Sequence, residues 1–555
     1  MHCRDAAHVL ERYALLLELS GESPFKARAY STAADVLAGL DRSLDEALES
    51  GALTGTRGIG EGILATLTEL RRQGTIAHLR QLEEQIPAGV IRLTELRGVG
   101  TKKARQLWLD CGITSIEQLE HACHEHRIAA CKGFSAKTEA SLLDAIEFWH
   151  RTQGRLQRHT AWRLYAALRT HLLSIGATDT FAVGQLRRGC EIISELAIVV
   201  LVESHAPRLP EDFTPISTGR YRSTTRDIPI EIILASPGEV GTVLFLTTGD
   251  DDFLAAATDG AHLPSFEHEE EVFAHLGLPE IPAELREGRA IVERARRGDI
   301  PRVIRWGDMR GMLHVHTTWS DGKNTLEEMV HAAEQFGFEY IAICDHSQSA
   351  AYAGGLTPER VREQRAEIET LRTRFPKVTI LHGIESDILP DGSLDYPDHI
   401  LAEFDLVVAS IHSHFHLPHT EQTARILRAL AHPYTTILGH PTGRLLLRRD
   451  AYSVDIEALI TEAARTQTVL EFNVNPYRFD LDWRYHRRAC SMGVRFAINP
   501  DAHSTEGMED LADGITVARR GELTPHDVIN TLPLEQFLHF ITKQRQHKHH
   551  LQAAS

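Results

Sequence analysis

The 555-residue chain is expected to be a multidomain protein whose C-terminal half is a parallel α/β barrel, preceded by an all-helical N-terminal region and an α+β middle. Three observations carry this expectation. Between residues 311 and 503 seven apolar runs recur, separated by longer helix-patterned stretches, as the buried strands of a parallel sheet require. Residues 1 to about 150 are amphipathic at the helical period, as in Ala6 to Leu19 and Glu139 to Trp149, with short glycine turns between segments. Between these regions, Cys190 to Glu203 and Asp227 to Ala235 become β-branched and strand-like. A chain of this length exceeds what a single core organises.

Composition narrows the class. With 42% hydrophobic and 25% charged residues, the chain is ordinary for a soluble globular protein. No apolar run approaches the roughly 20 residues of a membrane span, and the N-terminus lacks a charged-then-apolar leader, so a cytoplasmic protein with no membrane partner is expected. The seven cysteines are scattered and never form Cys-x-x-Cys, which argues against a disulfide framework or a thiolate zinc site. They are expected to be inert core or surface thiols. A net charge of −18 argues against a polyanionic partner unless part of the acidic complement holds metal ions, whose charge reverses the local field. His547, His549 and His550 fall in a polar C-terminal tail expected to be disordered.

The helical region repeats one turn grammar. Leu53-Thr-Gly-Thr-Arg-Gly-Ile-Gly60, Leu93-Thr-Glu-Leu-Arg-Gly-Val-Gly100 and Ile128-Ala-Ala-Cys-Lys-Gly-Phe-Ser135 each precede a helix. The Gly-apolar-Gly turn permits positive φ and leaves backbone N–H groups at a helix N-terminus, a ready phosphate site. That is the pattern of the helix-hairpin-helix, a sequence-independent binder of DNA backbones. A single Gly-x-Gly would be a plain helix connection; the repetition favours a binding unit. The candidate DNA contacts are Gly58, Gly60, Gly98, Gly100, Lys102, Lys103 and Gly133, with Arg57, Arg97, Lys132 and Lys137 beside them. In the third copy Ser135 stands where a glycine is expected.

The barrel runs are Gly311–His316, Tyr340–His346, Thr379–Glu385, Leu406–His412, Thr436–His440, Val469–Asn475 and Arg495–His503. Six carry a potential metal ligand, and Val469–Asn475 ends in an Asn pair. In such barrels the chemistry sits at the C-terminal strand ends, where these residues fall. Residues two apart on a strand share a face, so His314 with His316 and Asp501 with His503 can point into one cavity.

Taken together, the chain resembles the bacterial family X DNA polymerases that carry a C-terminal PHP (polymerase and histidinol phosphatase) domain. The resemblance covers nearly the whole chain. It rests on Ser23-Pro-Phe-Lys-Ala-Arg-Ala-Tyr30, the hairpins, Gly184-Gln-Leu-Arg-Arg-Gly189, and the thumb-like segments Glu270–Pro279 and Ile281–Glu287. In the barrel it rests on His314-Val-His-Thr-Thr-Trp-Ser-Asp-Gly322, Asp345-His-Ser347, Gly439-His-Pro-Thr-Gly-Arg444 and Asp501-Ala-His503. It implies a helical 8-kDa-like domain over 1–85, a fingers-like domain over 86–155, a nucleotidyltransferase-like palm over 156–235, a thumb over 236–300, and a distorted (β/α)7 PHP barrel over 308–545.

The polymerase centre departs from the family. Two-metal nucleotidyl transfer needs closely placed carboxylates on the palm strands. The matching positions here are Glu195, Ala197 and Glu231. Alanine ligates nothing, and each glutamate displaces its carboxylate by a methylene against magnesium's strict octahedron. Gln185 in place of the usual Ser, and Thr247-Thr-Gly-Asp-Asp251 in place of an aromatic-Thr-Gly-Ser segment, point the same way. Polymerase activity is expected to be lost or very weak, with Arg187 and Arg188 left as phosphate-binding candidates or surface salt bridges.

The PHP pattern transfers onto His314, His316, Asp321, His346, Glu385, His412, His440, Asp501 and His503. A lone strand-end histidine is usually a satisfied core residue; nine ligands at family positions make a metal centre. Mixed imidazole and carboxylate donors without thiolate suit zinc or manganese, and nine ligands fit two to three divalent ions. Glu385 and Asp501 are the natural bridges, and with His346 they are the candidate catalytic residues. A metal-bound water of lowered pKa would be the nucleophile. Asp345 either orients a ligand or binds metal, Arg444 and Arg478 are candidate phosphate clamps, Asn473 and Asn475 candidate pocket residues, and His414, His416 and His419 mouth-loop residues.

The leading expectation is a metal-dependent DNA phosphoesterase, a 3′→5′ exonuclease with 3′-phosphatase or abasic-site endonuclease as further activities, acting on gapped, nicked or 3′-recessed duplex in DNA repair. The alternatives are an active gap-filling polymerase with a proofreading PHP domain, a small-molecule phosphatase, and a non-catalytic DNA-binding scaffold.

Overall fold

The computed structural model describes residues 1–40, 42–203, 207–225 and 227–554. These form two compact units, Met1–Gln153 and Gly154–Ser555. Among the described residues no helix is long and apolar enough to cross a membrane.

The first unit is entirely helical, with its own core running from Leu10 and Leu37 through Leu67, Leu93 and Leu107 to Ile146. The three glycine turns share one construction. Gly58, Gly98 and Gly133 take φ of 95°, 72° and 87°, which a side chain would strain. The apolar residue that follows anchors the turn: Ile59 and Val99 are buried, and Phe134 packs against the same core. Helices then start at Glu61, Thr101 and Ala136. In the third copy Ser135 is the N-cap, its side chain accepting from the Thr138 N–H, so the serine satisfies a donor that the glycine turns leave open.

The second unit begins with a small ribbon of β1 (Leu156–Gln157) and β3 (Ile192–Ile193). A five-stranded sheet follows from β2 (Asp179–Val183), β4 (Leu196–Leu201), β5 (Thr214–Ser217), β6 (Arg220–Ser223) and β7 (Ile230–Ala235), in the order β2-β4-β7-β6-β5. Strands β4 and β7 are its buried parallel centre, with Ala197 registered against Glu231. Helices Val240–Thr248 to Arg289–Arg296 then pack around Phe245, Phe253 and Phe273.

All seven expected barrel runs are strands: β8 (Gly311–Val315), β9 (Tyr340–Ile343), β10 (Thr379–Asp387), β11 (Leu406–Ser410), β12 (Ile437–Leu438), β13 (Val469–Asn473) and β14 (Phe496–Asn499). They pair in parallel in sequence order. Between β14 and β8 closure is sparse: a bridge joins Val315 to Ala502, and the His316 N–H donates to the Ala502 carbonyl at 2.8 Å. The barrel is therefore nearly closed.

The C-terminal tail corrects an expectation. Residues Leu534–Ala553 form a helix rather than a disordered segment. The helix docks beneath the N-terminal ends of the barrel strands, with Phe537 stacked on Tyr340 at 4.9 Å between ring centroids. Gln544 donates to the Thr436 carbonyl, and fully buried Lys548 donates to the carbonyls of Leu430, His432 and Thr435. Polarity alone suggested a solvated tail; in the fold these polar groups donate to backbone carbonyls at the barrel floor.

Candidate metal centre

The C-terminal strand ends deliver the nine expected residues to one place. His314 lies in β8 and His316 just beyond it; His346 follows β9; Glu385 lies in β10; His412, His440 and Asp501 each come two residues after β11, β12 and β14. His440 and Asp501 have φ of 25° and 53°, uncommon for residues with side chains and typical of positions held by their function. Gly439 allows the close approach, since a Cβ there would lie 2.3 Å from the Ser410 hydroxyl.

Three sets of potential ligand atoms result: His316, Asp321, His346 and His503; His314, His316 and Asp501; His346, Glu385 and His412. They share members, so they form one cluster. Glu385 is its hub. Its Oε1 faces the Nε2 atoms of His440, His412 and His314 at 3.0, 3.3 and 3.5 Å, while Oε2 faces His346 and His316 at 3.0 and 3.5 Å. Asp501 faces His316 at 3.1 Å and His314 at 3.6 Å, and Asp321 faces His503 and His346 at 3.3 and 3.5 Å. Two oxygens of one buried carboxylate facing different imidazole sets is the arrangement of a bridging ligand.

The atoms also fit a metal by what they lack. His314 Nε2, both ring nitrogens of His316, His346 Nδ1, His440 Nδ1, Glu385 Oε2 and Asp501 Oδ1 are buried without a hydrogen-bond partner. Each buried orphan costs about 1–3 kcal/mol, and a set of imidazole and carboxylate atoms this dense is one that bound cations would complete. Electrostatics agree. Burial works to lower the His314 pKa, yet the charges of Glu471, Asp501 and Glu385 overcome it and hold the imidazole well above its ordinary value. Burial, joined by the neighbouring His503 and His346, instead lowers His316 to about 3, keeping the ring neutral with one nitrogen lone pair to offer.

A second layer aims these ligands, and its key member escaped the sequence reading. Glu471, mid-strand in β13, is fully buried and accepts from His314 Nδ1 at 2.7 Å, from Asn499 at 2.9 Å, from Asn473 at 3.1 Å and from the His440 N–H at 2.8 Å. The signal was present as a carboxylate inside an otherwise apolar run. Asp387 similarly holds His412 Nδ1. Asp345 is also an orienting residue: its oxygens accept from the Thr317 N–H and hydroxyl, Ser320 and Gln364, which fixes the loop carrying Asp321 and fills its lone pairs. Asn473 spans Glu471 and Asp501, Asn475 braces its own loop, and His414, His416 and His419 are exposed outside the ligand sets.

Three arginines expected to grip phosphate have their donors committed elsewhere. Arg187 pairs with Glu269 and Thr248, and Arg188 with Glu287 and the Thr248 carbonyl, so both brace the sheet against the following helices. Arg444 pairs with Asp482 and donates to the carbonyls of Arg478 and Phe479. It thereby holds the loop that presents Arg478. Arg478 itself lies 3.7 Å from Asp501, with Nη1 buried and unpartnered.

In the five-stranded sheet, the weakened carboxylates are neutralised by protein rather than left open. Arg220 and Arg222, on one face of β6, pair with Glu231 (2.6 Å) and Glu195. In the first unit Lys102 is exposed beside Gly100, and Lys103 donates to the Gly98 carbonyl, steadying the turn.

Comparison with known proteins finds three domain families along the chain. A helix-hairpin-helix domain family matches residues 1–76, a SAM-like helix-hairpin-helix tandem residues 90–147, and the PHP domain residues 312–471. The DNA polymerase/3′-5′ exonuclease PolX of Bacillus subtilis (strain 168) is 34% identical over 573 aligned residues, covering 98% of this chain and all of that protein. A probable phosphatase of Thermoanaerobacter sp. (strain X514) is 27% identical over 236 residues, covering 40% of this chain and 91% of that protein. A probable phosphatase of Shewanella sediminis (strain HAW-EB3) is 26% identical over 247 residues, 42% of this chain and 94% of its own.

Proposed function

The chain belongs to the bacterial family X DNA polymerases with a C-terminal PHP domain, and on that premise we propose that this metal-dependent phosphoesterase works as a 3′→5′ exonuclease on gapped, nicked or 3′-recessed DNA, its palm no longer supporting nucleotide addition. One contrast carries the reading. The barrel gathers buried, unpartnered imidazole and carboxylate atoms of the kind divalent cations take as ligands, whereas the palm carboxylates Glu195 and Glu231 are already paired with Arg222 and Arg220, and Ala197 offers nothing.

Divalent ions held by the nine barrel residues, zinc or manganese on donor chemistry, supply Lewis acidity and a water of lowered pKa. Glu385, Asp501 and His346, each facing more than one other candidate ligand, would help hold such ions. Glu471 and Asp387 hold the Nδ1 atoms of His314 and His412, so that the opposite nitrogens face inward. The free Nη1 of Arg478 offers a charge-assisted donor to a scissile phosphate entering beside Asp501. The exposed hairpin turns, with backbone N–H groups and Lys102, suit the DNA backbone and read no bases.

The test is release of nucleotide from a 3′-end-labelled primer with manganese. His316→Ala and Asp501→Ala should each lower the rate by at least about 100-fold; full activity in both would overturn the reading. A parallel reaction with all four deoxynucleotides should give no extension, and robust extension would contradict the proposal for the palm. The barrel-only relatives named probable phosphatases favour one added activity, removal of a 3′-terminal phosphate, measurable on the same primer carrying a 3′-phosphate.

A further inference from the structure

We propose that Tyr352 is a stacking platform for the base of the terminal nucleotide, making the metal centre select ends that bear a base over abasic ends. The inference rests on the exonuclease reading and concerns a residue with no part in metal ligation. Tyr352 is 73% exposed, unusual for a large aromatic ring beside a buried site. Among the exposed large apolar residues described, it is the one whose ring meets a ligand imidazole, lying 6.3 Å from His346 between centroids at 53°.

Its exposure is built into a rigid turn. Ala350 and Ala353 on either side are buried, Gly354 turns the chain at φ 70°, and Arg360 Nη1 ties the Gly354 carbonyl at 2.7 Å. At Gly355 a Cβ would lie 1.9 Å from the Ser347 carbonyl oxygen, so the turn lies tightly against the strand end. A ring held in water by a stiff scaffold at the rim of a phosphoesterase site loses little entropy when a flat partner covers it. His346 in turn faces Asp321 at 3.5 Å and Glu385 at 3.0 Å, His316 joins Glu385 to Asp501, and Arg478 lies 3.7 Å from Asp501. A terminal nucleotide whose phosphate meets Arg478 and the metal positions thus has the ring beside its base. Aromatic stacking tolerates every base, in keeping with a site that reads none.

The experiment measures steady-state hydrolysis of two 3′-recessed duplexes, one ending in a normal nucleotide and one in a tetrahydrofuran abasic residue, by the full-length protein. The wild type should show a KM about tenfold lower for the base-bearing end, as loss of one stacked base implies. Tyr352→Ala should bring that ratio close to one, mainly through KM on the base-bearing end, and Tyr352→Phe and Tyr352→Trp should keep it. A ratio in Tyr352→Ala equal to the wild type's overturns the platform and leaves the exonuclease reading standing. Absence of metal-dependent hydrolysis by the wild type overturns that reading and the platform with it. A Tyr352→Ala melting curve matching the wild type's excludes misfolding as the source of the change.

Discussion

The ligand residues were legible one by one because imidazoles and carboxylates at the ends of apolar strands have few other uses. Glu471 was not, since a strand-interior carboxylate reveals its role only when the barrel brings His314 against it. Removing it in Glu471→Ala should weaken metal binding roughly 10- to 100-fold, as expected for an outer-layer partner, measured by chelator competition; unchanged affinity would show that His314 needs no orienting anion. Arginines were the least legible, because sequence does not say which donors are already committed. Asp510 offers a residue-level pH test. Burial, with Asp513 and Glu509 nearby, pushes its carboxyl up to about 6. A folded pKa above the unfolded one penalises folding at neutral pH and relaxes as pH falls through roughly 6 to 4. Asp510→Asn should therefore stabilise by about 1 kcal/mol at pH 7.5, discounted for partial exposure, and by little at pH 4.5, as read from urea melts at both values.

At the scale of elements, the strands and hairpin turns followed from periodicity, because a buried parallel strand and a Gly-apolar-Gly turn each tolerate few other sequences. The final helix did not follow. Gln544 and Lys548 look like solvated surface until the barrel floor is present to accept from them. Replacing Lys548 by methionine leaves the Thr435 carbonyl without its donor, while the Leu430 and His432 carbonyls keep the Thr468 hydroxyl and the Thr435 N–H, and should cost about 2 kcal/mol in urea unfolding. A variant as stable as the wild type would mean that water replaces the side-chain amine there. In the palm, β6 places Arg220 and Arg222 two residues apart on one face, from which their side chains reach Glu231 and Glu195. The eroded carboxylates were visible in the sequence, but their arginine partners needed the strand pairing.

At the scale of the whole molecule, palm, thumb and barrel form one unit joined by paired groups. Buried Arg158 donates to Asp513 at 2.7 Å, Glu191 accepts from Trp483 and Arg484, Arg294 pairs with Glu522, Arg519 with Glu284, and Arg520 with Glu287. Gln157 also donates to the Leu446 carbonyl, and His159 meets Tyr477 next to Arg478. The palm thus supports the loops at the mouth of the candidate metal centre. The first unit has a separate core, so its contribution is testable by removal. A chain lacking residues 1–153 should keep its turnover at saturating DNA, raise KM, and lose about one unit of log–log salt slope for each phosphate contact removed. An unaltered KM and slope would assign DNA binding to the second unit alone.

The sequence by itself determined the sequence-local features: the strand ends with their nine candidate ligands, the three hairpin turns, and the alanine at position 197. Each is written in a short stretch whose chemistry allows few readings. Only the tertiary structure decided how those pieces are used. It joined the ligands through Glu385, oriented them by Glu471 and Asp387, set Arg220 and Arg222 against the palm glutamates, committed Arg187, Arg188 and Arg444 to bracing, and left Arg478 free and Tyr352 exposed at the rim. Those outcomes depend on which distant groups meet at hydrogen-bonding distance in a place closed to water, and long-range packing alone settles that.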